Sequence, residues 1–291
     1  MNKKFVAFGC KNFNSTHSFI HYAYQRAFES LGWDSYWIDN EDAKDFDFSN
    51  SLILTLGGWD HGVPVRKDCK YILHNCDTTG KYSSVLDNSL ILQVFTTDVY
   101  DRDVEKLEDF VYYQKSINTL YQPWATDLLP HQIEEKTSLN FTDNKSVYWV
   151  GSIWNDMGQG NYSEIQQLSN SLISRGINFE PKKVDYDRNK EVINSSYISP
   201  SLQGKWQCDK GYIPCRIFKN ISYGEFGITN SKYVNELFQD MIVYDSNIDI
   251  MVERALEKRN TITLEELNRQ IRYVREKHTY INRINNILSV I

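Results

Sequence analysis

Gly211-Tyr-Ile-Pro-Cys-Arg-Ile-Phe-Lys-Asn-Ile-Ser-Tyr-Gly-Glu-Phe-Gly-Ile-Thr-Asn-Ser231 is the stretch on which the reading of this chain turns. Pro214 can open a helix at no cost, because the first helical position needs no N–H. Ile213, Ile217, Phe218 and Ile221 recur at helical spacing and predict one apolar face. Arg216, Lys219, Asn220 and Tyr223 fall on the opposite face. Gly224 is placed to stop the helix, and a short strand over 226–229 is expected after it. Arg216 stands in the first helical turn, where the macrodipole disfavours a cation. An arginine beside free helix N–H groups makes an anion site, and phosphate is the usual anion. The plainer alternative is a solvated arginine, or one paired with Glu225.

The whole stretch resembles the donor-binding element of GT-B glycosyltransferases, an Arg-x-Phe helix ending in glycine, then a strand and a short polar loop. Here it reads Arg216-Ile-Phe218-Lys219-Asn-Ile221-Ser-Tyr-Gly224, then Gly227-Ile-Thr-Asn-Ser231. The resemblance implies that Arg216 holds a nucleotide diphosphate and that the helix faces the ribose, with Lys219, Asn220, Tyr223, Thr229, Asn230 and Ser231 as donor-site candidates. Many members carry an acid where Lys219 stands, and it binds the ribose hydroxyls. In this chain Asn220 or Glu225 would have to replace that contact.

At 291 residues, 41% of them hydrophobic, the chain has the length of two domains. A net charge of -6 argues against a nucleic-acid binder, which needs a basic face. No run of about 18 apolar residues predicts a membrane span. The opening residues, Met1 to Cys10, read as a first strand rather than a signal peptide, because Lys11 and Asn12 cut the apolar run short. Five cysteines, an odd number without C-x-x-C spacing, suggest reduced thiols and a cytoplasmic protein.

The first half predicts strands over 4–8, 33–38, 51–56, 70–73, 90–95 and 116–121, with a helix over 18–31 after the first. Strands alternating with helices or loops mean an α/β protein with a mainly parallel sheet. Ligands of such sheets lie beyond the carboxyl ends of the strands. That rule selects the loops 10–17, 57–62, 74–80 and 122–127, which hold His17, Asp60, His61, His74 and Asp77. Polar residues gather in loops anyway. Only Gly9 follows the first strand, so the dinucleotide fingerprint is missing and NAD or FAD is not expected. Gln122-Pro-Trp-Ala-Thr-Asp127 resembles the segment that closes the first GT-B domain.

In the second half, a strand over 146–150 runs into Gly151-Ser-Ile-Trp-Asn-Asp-Met-Gly-Gln-Gly160 and then a helix ending near Gly176. Backbone N–H groups presented this way suit phosphate, and Val150-Gly-Ser152 resembles the opening of a GT-B donor domain. Gly151 and Ser152 therefore join the donor-site candidates. Strands are expected over 177–184, 197–199 and 241–244, with Ser201, Gln203 and Lys205 as loop candidates. Trp206 or Tyr212 could stack on a base. A helix over 249–258 precedes the capping box Thr263-Leu-Glu-Glu266, which begins one long amphipathic helix.

These readings combine into two Rossmann-like domains of GT-B architecture. The expected boundaries are 1–130 for the acceptor side, 131–145 for a linker, 146–262 for the donor side, and 263–291 for helical sequence packing back on the first domain. The implied function is a glycosyltransferase moving a sugar from a UDP- or GDP-linked donor to a glycan or other hydroxyl. The implied protein is a monomer or weak homodimer, with no cofactor beyond the co-substrate. His17 is the first choice of base, and Asp60, His61 and Asp77 are the alternatives. The triplets Asp45-Phe-Asp47, Asp101-Arg-Asp103 and Asp185-Tyr-Asp187 lack the apolar strand context of a metal-holding pair, so no metal is expected. A non-catalytic two-domain anion-binding protein, or a sugar-nucleotide epimerase of the same fold, remains as the alternative.

Overall fold

The structure is a computed structural model and describes residues 3–13, 15–99 and 103–291. The chain divides into two compact units, residues 1–122 with 280–291, and residues 123–279.

The first unit is a mixed α/β layer built on a sheet of eight strands among the described residues. In chain order it comprises β1 (Lys4–Phe8), α1 (Thr16–Ser30), β2 (Asp34–Ile38), β3 (Leu52–Leu56), β4 (Lys70–His74) and β5 (Ser89–Gln93). Then come β6 (Val104–Glu108), β7 (Val111–Gln114) and β8 (Thr119–Tyr121). The spatial order is β2-β1-β3-β4-β5-β8-β7-β6. The first six positions pair in parallel, and β6 and β7 add an antiparallel edge.

Strands buried on both faces read as continuous apolar runs, and β1 shows it. Val6 and Phe8 face a cluster with Ile53, Tyr71, Leu73, Tyr82 and Phe48. Phe5, pointing the other way, stacks on Phe28 of α1 at 3.8 Å between centroids. The terminal helix, Tyr280–Val290, packs beside α1, with the rings of Tyr24 and Tyr280 4.5 Å apart.

The second unit carries β9 (Ser146–Val150), α2 (Tyr162–Ser174), β10 (Asn178–Lys182), α3 (Asn189–Asn194), α4 (Lys205–Asp209) and α5 (Cys215–Tyr223). They are followed by β11 (Ile228–Thr229), α6 (Lys232–Leu237), β12 (Val243–Tyr244), α7 (Ile248–Thr261) and α8 (Leu264–Lys277). β9 pairs with β10 and β11 with β12, both in parallel. The stretch 196–201 ties the two pairs together. Tyr197 N donates to Ser146 O at 2.8 Å, and Ser201 bridges Thr229 in parallel. A strand expected at 197–199 is thus an irregular connector.

One further expectation changes, and one strand pair is new. The hairpin β6–β7 was not read from the sequence. The long helix from Thr263 is broken at His278 and Thr279, because Thr126 N takes the His278 carbonyl at 3.0 Å and Thr126 bridges Thr279. The capping box at Thr263 is present, with Glu266 N donating to Thr263 Oγ1 and Thr263 N to Glu266 Oε2. Residues 131–145, expected as a linker, are tied to α8. Lys136 N donates to Asn268 Oδ1 at 2.8 Å, and Glu135 bridges Arg272 and Arg275. Among the described residues no helix is long and apolar enough to cross a membrane, and the five cysteines are unbridged.

Candidate functional site

In the second unit the carboxyl end of β9 meets the first turn of α5, the 196–201 connector meets Asn220 one turn later, and the loop after β11 meets Gln203. Pro214 is the N-cap of α5 and Gly224, at φ +105°, its left-handed stop. Ile217, Phe218 and Ile221 are fully buried, and Phe218 stacks on His278 at 4.7 Å. That apolar anchorage fixes the helix and aims its first turn at the end of β9.

Arg216 is half-buried. Its Nη1 donates to Val150 O, and its guanidinium carbon lies 3.6 Å from the centroid of the Trp149 ring. Gly151 closes the third side, since a Cβ there would overlap Arg216 Nη2 and come within 3.0 Å of Cζ. Among the described residues no carboxylate pairs with it. Glu225, the partner the sequence allowed, is buried elsewhere, opposite Lys136 and Arg259. Burial lowers the Arg216 pKa to about 10, which leaves it charged at neutral pH. A desolvated cation without a counter-ion carries an electrostatic cost that an arriving anion removes.

The other donor-site candidates divide into two kinds. Gly151 and Ser152 lie exposed at the end of β9, and Ser152 O accepts from Asn161 Nδ2 at 3.1 Å. Asn220, Tyr223, Thr229 and Asn230 are buried, and their polar atoms hold the unit together. Asn220 Nδ2 donates to Ser199 O at 2.7 Å, and Tyr223 OH donates to the Asp127 carboxylate at 2.7 Å. Asn230 and Gln203 exchange a reciprocal pair, Gln203 N to Asn230 Oδ1 at 3.0 Å and Asn230 Nδ2 to Gln203 O at 2.8 Å. Ser231 N donates to Thr229 Oγ1. Ser231 is the N-cap of α6, and its hydroxyl is buried without a hydrogen-bond partner. Lys219 is buried on α5 near the Cys215 thiol.

Of the loop candidates, Ser201 and Gln203 belong to that buried network. Lys205 is exposed and ion-paired with Asp209 at 2.6 Å. Trp206 and Tyr212 are half-buried. Gly204 and Gly160 let two of these loops touch, since a Cβ on Gly204 would sit 2.7 Å from the Gly160 carbonyl carbon.

In the first unit the order β2-β1-β3 makes a topological switch between β1 and β3, where ligands of parallel sheets collect. Gly9, at φ +89°, passes so close to Trp59 that a Cβ would lie 2.9 Å from its carbonyl oxygen. His17 occupies the first turn of α1, whose N-cap Ser15 exchanges hydrogen bonds with Ser18. The loop 10–17 includes Asn14, which lies outside the described residues. The rings of His17 and His74 are 5.9 Å apart. Burial, then His74 and His21, lower the His17 pKa to about 3. His21 is buried, with Nδ1 3.0 Å from Gly9 O, and its pKa falls to about 4. His74 holds Leu92 O through Nδ1 at 2.9 Å and is lowered by burial too.

Asp60 is buried; burial first, and then the Asp60 carboxylate, push up the Cys76 thiol and the Tyr82 phenol. Lys81 Nζ donates to its backbone carbonyl. Asp77 is exposed and caps its own turn, accepting from Thr79 N at 3.1 Å and Gly80 N at 2.8 Å. Those bonds hold its carboxyl below the usual range. Asp47 is exposed and engaged with Ser49 and Lys4. Asp101 and the side chain of Asp187 lie outside the described residues.

Trp149 is the residue that reading the sequence passed over as strand filling. The available signal was an aromatic immediately before the Val-Gly turn that ends β9.

Comparison with protein families and with curated proteins finds no match. Among solved structures the chain is similar to TarM, at a TM-score of 0.45 and 12% identity, over 85% of this chain and 56% of TarM, so it spans little more than half of that protein's length.

Proposed function

We propose that the protein is a glycosyltransferase of GT-B type that takes its sugar from a nucleoside diphosphate carrier. One observation carries the reading. Arg216 is a half-buried guanidinium with no carboxylate against it among the described residues, presented at the carboxyl ends of parallel strands. A diphosphate supplies the missing charge. As the sugar departs, negative charge grows on that diphosphate, and preset donors stabilise it more than the ground state, often the largest contribution to catalysis. The donor-element resemblance over 216–231 and the phosphate-suited turn at Gly151 support the same assignment.

In this scheme His17, which ends the loop after the first strand, removes the acceptor proton; burial keeps its imidazole neutral beforehand. Binding of UDP, GDP and their sugars, followed by calorimetry and by release of the free nucleotide, tests the proposal. Binding of one nucleotide, and a weakened but still measurable affinity in Arg216→Ala, are expected. If no member binds, the reading fails.

A second reading has its own support. An imidazole held near pKa 3 is a weak base, far from the neutral value that general-base catalysis favours. A non-catalytic protein that binds the same anion fits that fact. His17→Ala separates the two. Lost turnover with retained nucleotide affinity indicates the enzyme, whereas the binding protein shows no turnover to lose.

A further inference from the structure

We propose that Trp149 is the positioning residue for Arg216, holding the guanidinium plane between its indole face and the bare Cα of Gly151 so that the remaining N–H groups face a diphosphate. The proposal rests on the nucleotide reading above. Three consecutive residues of β9 and its turn make the cradle. Trp149 supplies a face 3.6 Å from the guanidinium carbon, Val150 supplies a carbonyl that takes Nη1, and Gly151 leaves the space that Nη2 occupies. A guanidinium has five N–H donors, and one is spent on Val150. Fixing the plane before the ligand arrives removes the rotamer entropy that a free arginine would lose on binding.

The tryptophan itself points to this role. It is 1% exposed, and its indole Nε1 is buried without a hydrogen-bond partner. An unsatisfied buried N–H is costly, and phenylalanine or leucine would fill the core without it. What the indole adds is the most electron-rich ring face for a cation.

A double-mutant cycle tests the idea. The affinities of wild type, Trp149→Phe and Trp149→Leu for UDP and for GDP are measured by calorimetry, with and without Arg216→Ala. The expected order is Trp, then Phe, then Leu. The leucine variant should be about tenfold weaker in the arginine background, matching the loss of a desolvated cation–ring contact. With Arg216→Ala the same change should cost less than about twofold, because Trp149 then has nothing to position. Equal losses in both backgrounds, or identical Phe and Leu variants, would overturn the proposal.

Two controls keep the outcome independent of folding and of the nucleotide. Gly151 lies at φ +142°, so Gly151→Ala adds backbone strain to the displaced guanidinium; circular dichroism checks its fold, and its binding should weaken. The Arg216 Nε–Hε resonance, identified by its loss in Arg216→Lys, should be ring-shifted upfield in wild type and return toward the ordinary position in the leucine variant. If neither nucleotide binds wild-type protein, the donor reading falls. The cradle is then decided by that resonance alone, and an unshifted signal rejects it.

Discussion

The guanidinium of Arg216 lies over the indole of Trp149, 3.6 Å from its centroid, while its Nη1 donates to the carbonyl of the very next residue, Val150. The cation is solvated by a ring and a backbone dipole instead of by an acid. The charge therefore has no acidic partner among the described residues. Arg216→Met should raise the stability of the ligand-free protein by about 1 kcal/mol, because it removes an uncompensated charge from a half-buried place. The same variant should bind nucleotide more weakly. Melting curves with and without added UDP or GDP check both halves. A variant that melts lower without ligand and responds to nucleotide as wild type does would contradict the account.

Glu225 gives a pH dependence of definite sign. Burial raises its pKa from 4.5 to about 8, against the opposing pull of Lys136 and Arg259. Folding thus takes up a proton between those values. The contribution of this group is fully present below pH 4.5 and is lost as pH rises toward 8. Glu225→Gln should stabilise the protein at pH 8, on the order of a few kcal/mol, and change little at pH 4.5. Chemical denaturation of both proteins at the two pH values measures the difference. A larger gain at the acid end would refute it.

The buried imidazoles act in the opposite direction. His17 and His21 are lowered to about 3 and 4, and His74 is lowered as well. The unfolded chain then binds more protons below pH 6.5, so these groups remove stability as pH falls from 6.5 toward 4. In the Glu225→Gln background, where the contrary contribution is absent, the melting temperature should drop steadily from pH 7 to pH 5. A rise over that interval would mean that the imidazoles are not buried neutral.

Gly204 tests the contact between two loops. Its φ of -66° suits any residue, so alanine there meets no backbone strain. Its Cβ would nevertheless sit 2.7 Å from the Gly160 carbonyl carbon. Gly204→Ala should cost about 1–3 kcal/mol through overpacking alone and should weaken nucleotide binding. Gly158→Ala has nothing near its Cβ, and any cost there reflects its positive φ. Equal nucleotide affinity for Gly204→Ala and wild type would detach this contact from the site.

Much of the framework was legible in the sequence. β1, β3, β4 and β9 are short apolar runs ended by turn residues, and α1, α2 and α5 keep a helical period between caps. What was missed has physical causes. The strand β6 exposes Glu105 and Lys106 on a sheet edge and carries no apolar alternation to betray it. Such charged edges discourage pairing with other chains. The break at His278 is invisible because the period persists through it, and its cause, Thr126, lies far away in sequence. The same holds at the site. Asn220, Tyr223, Thr229 and Asn230 look available on a helical wheel or in a loop, but Ser199, Asp127 and Gln203 occupy them. Arg216 could be singled out because its position in a first turn is unfavourable by itself. Trp149 could not, because an aromatic residue in a strand is unremarkable until its partner is known.

The terminal helix belongs with α1 and the first sheet, although 157 residues of the second unit, Pro123–Thr279, intervene. Cutting the gene after Gln122 would leave Tyr24 stripped of the ring that covers it. Such a fragment should be sticky and poorly soluble. Joining 1–122 to 280–291 through a flexible spacer should restore a well-behaved product, while 123–279 offers a continuous piece for separate expression.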